Sequence, residues 1–286
     1  MAVDYSALKK GGLMRQKQKD CFSMRLKSVG GHFTADQLNT VRQVADRYGK
    51  GYVHLTSRQG IEIPYIRLKD IDEVKKVLKE GGVEVGFCGP RVRTITACQG
   101  AATCPSGLID TVKLANEFDR RYGGRELPHK FKFGFTGCHN NCLKAEENDM
   151  GIKGGVEPRW DSAGCTYCGV CEAVCPERAI AVDKEAGTVT LHPDQCVYCG
   201  KCIKSCPADA WTGDRGFVIS FGGLYGNRIA VGRHFLPIVF SEEKVYEIVE
   251  VTLKFFEDHA RPSERFANCL DRVGWDKFQQ EVEAVL

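Results

Sequence analysis

No run of apolar residues in this chain approaches the ~18 to 20 that a membrane-spanning helix needs. The opening stretch, MAVDYSALKKGGLMRQKQKD, lacks the apolar centre of a secretory signal, so the expectation is a cytoplasmic protein without a membrane partner. A strong charge of one sign is also missing. The formal net charge is +3, Lys and Arg alternate with Asp and Glu, and no basic stripe with interleaved aromatics is present, which excludes nucleic acid as an expected partner. The basic run from Lys9 to Lys19 reads as a solvated arm, with a docking role as the alternative. No G-x-G-x-x-G opens a helix after a strand, so no flavin or nicotinamide site is visible.

What the chain has in excess is cysteine. Fifteen occur in 286 residues, and in a reducing compartment thiols persist as metal ligands more often than as disulfides. Hydrophobic residues make up 43%, enough for a sizeable core.

The pattern from Phe22 to Val85 alternates strands and helices. FSMRLKS reads as a strand. TADQLNTVRQVADRY reads as a helix with Thr34 as N-cap, Gln37 at the capping-box position, and Leu38, Val41 and Val44 on its buried face. YVHLT and IEIPYI read as strands, with Pro64 suggesting a sheet edge. KDIDEVKKVLKE gives a second helix, capped by Asp70 and burying Ile71, Val74, Val77 and Leu78. A second α/β unit starts near Arg91, with a helix from about Leu108 to Arg121 and the alternating strand KFKFGFT. It breaks off near Pro158 and resumes at Gly216 with FVISF and a long helix around Glu242 to Asp258. The expected fold is α+β: a ferredoxin-like sandwich over 1–90, and a second α/β domain over 91–158 and 216–286 interrupted by an insertion at 159–215.

That insertion holds an internal repeat. CTYCGVCEAVCP begins at Cys165 and CVYCGKCIKSCP at Cys196, two copies of C-x2-C-x2-C-x3-C-P. This spacing suits a bacterial-type ferredoxin with two [4Fe-4S] clusters, in which three thiolates wrap one cluster and the fourth Cys reaches the other. Cys165, Cys168, Cys171 and Cys206 would hold one cluster, and Cys196, Cys199, Cys202 and Cys175 the second. A zinc ribbon is the alternative, but it needs four ligands in two C-x-x-C pairs rather than eight at doubled spacing.

Four more cysteines form TACQGAATCPSG, with Cys98 and Cys104, and TGCHNNC, with Cys138 and Cys142. The pair C-x5-C followed by C-x3-C, together with HLTSRQG at 54–60, KFKFGFTGC and RVGWDKFQQEV, resembles the sirohaem-containing sulfite and nitrite reductases. With its ferredoxin insertion the chain is most similar to the small anaerobic sulfite reductases and to a dissimilatory sulfite reductase subunit. The resemblance implies a third [4Fe-4S] cluster on these four cysteines, coupled through Cys142 to the iron of a sirohaem that Asn140 also borders. It further implies that Lys130, Lys132, Arg58 and Arg93 surround the bound anion, sulfite or nitrite. Strand alternation agrees for two of them: Lys130, Lys132, Gly134 and Thr136 share one face, and Phe131, Phe133 and Phe135 the other. A solvated strand face is the alternative. Arg228, Arg233 and His234 are weaker candidates for the cofactor's carboxylates, with a surface loop the competing reading. Cys21, Cys88 and Cys269 have no partner motif and read as small buried hydrophobes. Electrons would come from a donor protein, a reductase subunit or a free ferredoxin. Larger relatives contain two copies of this unit, so a single copy suggests a two-fold homodimer, or a place in a hetero-oligomer, with Lys130 and Lys132 acting on the partner's cofactor.

Overall fold

A computed structural model of the chain describes residues 3–286. The N-terminal part begins with α1 (Tyr5–Lys10), β1 (Leu13–Arg15) and β2 (Cys21–Arg25). It continues through α2 (Ala35–Tyr48), β3 (His54–Leu55), β4 (Ile61–Arg67) and α3 (Ile71–Glu80). Its sheet runs β1-β2-β4-β3, antiparallel throughout. Alternation along β2 sends Phe22, Met24 and Leu26 into a core shared with Val41 and Val44 of α2 and Val74 and Leu78 of α3. The basic run is not a free arm, because it takes in the end of α1 and all of β1, and Leu13 is buried against that core.

Three local expectations change. The Thr34–Gln37 capping box forms, and Val41 and Val44 are buried, but Leu38 is 47% exposed. Asp70 makes no side-chain cap, since a 3-10 turn over Leu68–Asp70 leads directly into α3. Pro64 is not on an edge strand: β4 pairs on both sides, and Pro64 occupies a bulge against β2 where its missing N–H costs no ladder bond. Tyr65 beside it carries φ +67°.

The second part opens with β5 (Thr96–Ala97), α4 (Thr111–Tyr122), β6 (Phe133–Thr136) and β7 (Met150–Trp160). The segment between β7 and its partner holds α5 (Val170–Val174), the hairpin β8 (Ile180–Asp183) with β9 (Thr188–Leu191), and α6 (Lys201–Ser205). The chain then returns as β10 (Trp211–Phe221), the small hairpin β11 (Leu224–Tyr225) with β12 (Ile229–Ala230), and the helices α7 (Glu242–His259), α8 (Phe266–Val273) and α9 (Trp275–Glu283). Sheet order is β10-β7-β6-β5, with β5, β6 and β7 parallel.

Phe131, Phe133 and Phe135 are fully buried, and the ring of Phe118 on α4 meets Phe133 at 5.3 Å and Phe135 at 4.7 Å. Each such ring contributes about 2 to 3 kcal/mol by burial. This packing fixes which way the strand's other face must point. The β7–β10 ribbon stays in register out to Trp160 opposite Trp211, so the strands run further into the cysteine-rich segment than the sequence boundaries at 158 and 216 imply.

Candidate functional site

The polar face of the 130–136 strand leads from two lysines to a thiol. Gly134 lies on that face, and a Cβ there would collide with Asn148 Nδ2. The missing side chain lets Asn148 close in, and its Oδ1 accepts a bond of 2.9 Å from Arg58 Nη1, while Arg58 Nη2 donates to Thr94 O at 3.1 Å. One step on, Thr136 Oγ1 lies 3.8 Å from Cys98 Sγ, and the Gly137 N–H donates to the same sulfur at 3.0 Å.

Cys98 and Cys142 line a cleft of about 630 Å³ with Gly30, Gln59, Leu38 and Leu55. That volume suits a large organic cofactor. Cys142 is exposed, Cys138 is buried, and Cys98, Cys104 and Cys142 all act on the Cys138 thiol, which burial pushes up. Leu55 is 70% exposed at this rim, apolar surface to which the chain itself gives no cover. Four thiols behind an apolar cleft with one sulfur exposed fit a cluster that meets a macrocycle at a single ligand.

A second cavity of about 170 Å³ adjoins the cleft through Thr56, Gly60 and Ile61, and Arg25, Arg58 and Arg93 line it. Burial, then Arg93 and Arg265, pushes Arg58 down to about 10. Burial, then Arg58 and Arg265, pushes Lys132 down to about 8, and Lys130 moves down for similar reasons. The four cations expected from the sequence are therefore electrostatic neighbours on the chain that also carries Cys98 and Cys142.

Three participants escape the sequence reading. Arg25 is legible in part, because it lies on the polar face of β2 opposite Phe22 and Met24. Its Nη1 and the Nη2 of Arg93 both approach Cys88 Sγ at 3.2 Å, so Cys88 is more than a filler. Arg265 and the fully buried Asp149 form an ion pair at 2.9 Å, and no motif announces either residue.

The weaker candidates lie differently. Arg233 stacks over the Trp275 ring at 4.2 Å, Arg228 is exposed on the β11–β12 hairpin, and Asn140 is exposed with its backbone N–H toward the Cys138 sulfur. His234 bonds Ile219 O at 2.9 Å and Glu146 at 3.3 Å. Glu146 also receives Lys153 Nζ at 2.6 Å and the Asn141 side chain, which ties His234 to the loop between Cys138 and Asn148. Burial opposes ionisation of Glu146, but His234 and Lys153 hold its carboxyl down to about 2.

In the insertion, one small cavity is lined by Cys165, Cys168, Cys171 and Cys206, and a second by Cys175, Cys196, Cys199 and Cys202. The fourth cysteine of each repeat thus crosses to the other repeat's cavity. Each C-x2-C-G turn enters its short helix through a left-handed glycine, Gly169 at φ +82° and Gly200 at φ +68°. Burial pushes the Cys202 thiol up to about 12, so ionisation there requires a cation in the cavity. Among the described residues no three His, Cys, Asp or Glu side chains converge closely enough for a single metal ion. The second repeat touches the main body: Val156 N–H donates to Tyr198 O at 2.9 Å, and Ile203 packs on Leu108, Cys138 and Val156.

No helix among the described residues is long and apolar enough to cross a membrane. Comparison with known proteins places residues 88–286 in the nitrite and sulphite reductase 4Fe-4S domain and residues 14–81 in the nitrite/sulfite reductase ferredoxin-like half domain. The chain is 31% identical over 278 residues to the coenzyme F420-dependent sulfite reductase of Methanocaldococcus jannaschii, covering 96% of this chain and 44% of that one. It is 32% identical over 165 residues to an anaerobic sulfite reductase subunit of Salmonella typhimurium, covering 53% and 48%. It thus spans about half the length of these curated relatives, and nitrite reductases match as well. Among solved structures, dissimilatory sulfite reductase I superposes with a TM-score of 0.73 at 21% identity, over 92% of this chain and 69% of that one, a likeness of mixed α/β fold. Matched in both its half domain and its cluster domain, the chain belongs to the nitrite and sulphite reductase family.

Proposed function

We propose that this chain reduces sulfite to sulfide at a sirohaem coupled to a [4Fe-4S] cluster, with electrons arriving through two further clusters in the 159–215 insertion. The observation that carries the reading is the adjoining of two cavities, one lined by Cys98 and Cys142 and the other by Arg25, Arg58 and Arg93. When bound, the sirohaem and its cluster supply the electrons and an iron to which the sulfur atom can bind.

The chain's own residues do the rest. Cys98, Cys104, Cys138 and Cys142 would hold the cluster, and Cys142, exposed in the cleft wall, is the thiol that would face the sirohaem. Arg58 and Arg93 present forked donors to an oxyanion, and Lys130 and Lys132 present mobile ammonium groups. Removing three oxygens as water over six electrons calls for two protons at each S–O cleavage. A Lys132 held near 8 can release one close to neutral pH and regain it from solvent. Lys130 and Lys132 line neither cavity, although Lys132 is an electrostatic neighbour of Arg58, so a two-fold dimer in which the lysines act on the partner's cofactor stands beside action on their own chain's site.

The packing of Ile203 and Tyr198 against the Cys138 region supports an order of transfer. A cluster held by the Cys196 quartet would lie on the side of the cleft, and one held by the Cys165 quartet, whose Cys168 is exposed, would face a donor protein. Nitrite reduction to ammonia is the second reading, favoured by the nitrite reductases among the relatives. Anaerobic purification with a visible spectrum, followed by product analysis on sulfite and on nitrite, tests both. A protein without haem absorption refutes both, and faster turnover of nitrite refutes the first.

A further inference from the structure

Asp149 is fully buried, and three segments converge on it. Its Oδ2 accepts the backbone N–H of Lys132 at 2.9 Å. Arg265 Nη2, at the start of α8, donates to Oδ1 at 2.9 Å and to Oδ2 at 3.0 Å. The Asp149 carbonyl accepts the N–H of Gly222 at 2.9 Å, and this turn leads into β11, where Tyr225 O accepts Lys132 Nζ at 3.4 Å. One residue therefore holds both the strand that carries Lys132 and the turn that carries its ammonium's partner.

We infer that Asp149 and Arg265 form a buried pair that positions Lys132 and sets the charge it presents to a bound anion, Asp149 favouring the ammonium form and Arg265 opposing it. The inference rests on the reading of the cleft as an oxyanion site. Burial raises the Asp149 carboxyl, and Arg265, Lys132 and the Lys132 backbone N–H pull against that rise. The groups that face Lys132 are Arg58 from the β3–β4 turn, Arg265 from α8, Lys130 on its own strand with His129 beside it, and Asp149. Asp149 is the acid in this group, and its charge is directed at Arg265 rather than at the cleft. The arrangement anchors the cations while leaving a positive excess for the ligand. The buried Nε of Arg265 has no hydrogen-bond partner among the described residues.

The test is the pH dependence of Lys132 acetylation by trace acetic anhydride in the anaerobic holoenzyme, read by mass spectrometry. The wild-type midpoint is expected near 8. In Arg265→Gln it should rise by about one pH unit, and in Asp149→Asn it should fall by a similar amount. Arg265→Lys should stay near wild type. The Asp149→Asn/Arg265→Gln double variant should also return there, which covers the case where a lone buried arginine prevents folding. The alkaline limb of sulfite binding, followed on the visible spectrum, should move in the same directions. Midpoints that do not move, or that move the same way in both single variants, overturn the inference, because a merely structural pair has no reason to split in sign. A wild-type spectrum unmoved by sulfite and nitrite overturns the reading of the cleft, while the labelling result still decides the pair.

Discussion

On the reading proposed here, the cysteine-rich segment and the cleft would hold redox centres by opposite means. In the insertion every candidate ligand lies between Cys165 and Cys206, and each quartet takes three thiols from one loop and a fourth from the other repeat. At the cleft and the cavity beside it the groups come from far apart in sequence, Cys98 and Cys142 lining the one and Arg25, Arg58 and Arg93 the other, with Lys132 and Arg265 as electrostatic neighbours of Arg58. A local site announces itself by spacing. An assembled one is visible only where its elements have a periodicity of their own.

The largest expected effect separates the two regions outright. Anaerobically isolated protein should contain about thirteen irons per chain, from three cubanes and one sirohaem. Replacing Cys98 and Cys142 by Ser should leave about eight irons and no haem bands. Replacing Cys171 and Cys202 should leave about five irons with the bands intact. If either pair of substitutions empties both regions, they do not load independently and the contrast fails.

Within the cleft, Lys132→Ala or Arg58→Ala should lower kcat/KM for the oxyanion by about 100-fold while the insertion's clusters remain reducible. Equal kinetics in variant and wild type would make these cations ordinary surface charge. A gentler version leaves the cations in place. Gly134→Ala would drive a methyl into Asn148 and deprive Arg58 of one of its two partners, so anion affinity should drop by about 10-fold through the loss of one charged hydrogen bond. An unchanged dissociation constant would show that Arg58 does not depend on Asn148.

The same contrast explains how much is legible beforehand. The crossed cysteine quartets follow from spacing, and the lysine face follows from the alternation of Phe131, Phe133 and Phe135. Periodicity assigns Leu38 to the core wrongly, because it cannot distinguish an apolar residue facing a core from one facing a cleft. Leu55 also lies in that cleft wall. Departures from pattern of this kind gather at functional surfaces. Asp149 and Arg265 cannot be read at all, since a buried ion pair between residues so far apart in sequence leaves no periodic trace. Pro64 misleads for another reason: sequence marks a missing N–H but not whether an edge or a bulge accommodates it.

The smallest effect concerns acid. Glu146, with its carboxyl near 2 against an ordinary value of 4.5, joins the loop after Cys142 to Lys153 on β7 and to His234. A depressed folded value means that this contribution, up to about 3 kcal/mol, is complete above the unfolded value and fades as pH falls from 4.5 toward 2. The gap in thermal midpoint between wild type and Glu146→Gln should accordingly be widest at about pH 6 and narrower at about pH 3.5. Because side-chain bonds from Asn141, Lys153 and His234 converge on one carboxylate, its loss should also loosen residues 138–148 in hydrogen exchange while leaving 165–206 unchanged. Equal protection of the two segments in the variant would mean that the 138–148 loop is held by the backbone alone, and that the cleft is less dependent on distant side chains than its geometry implies.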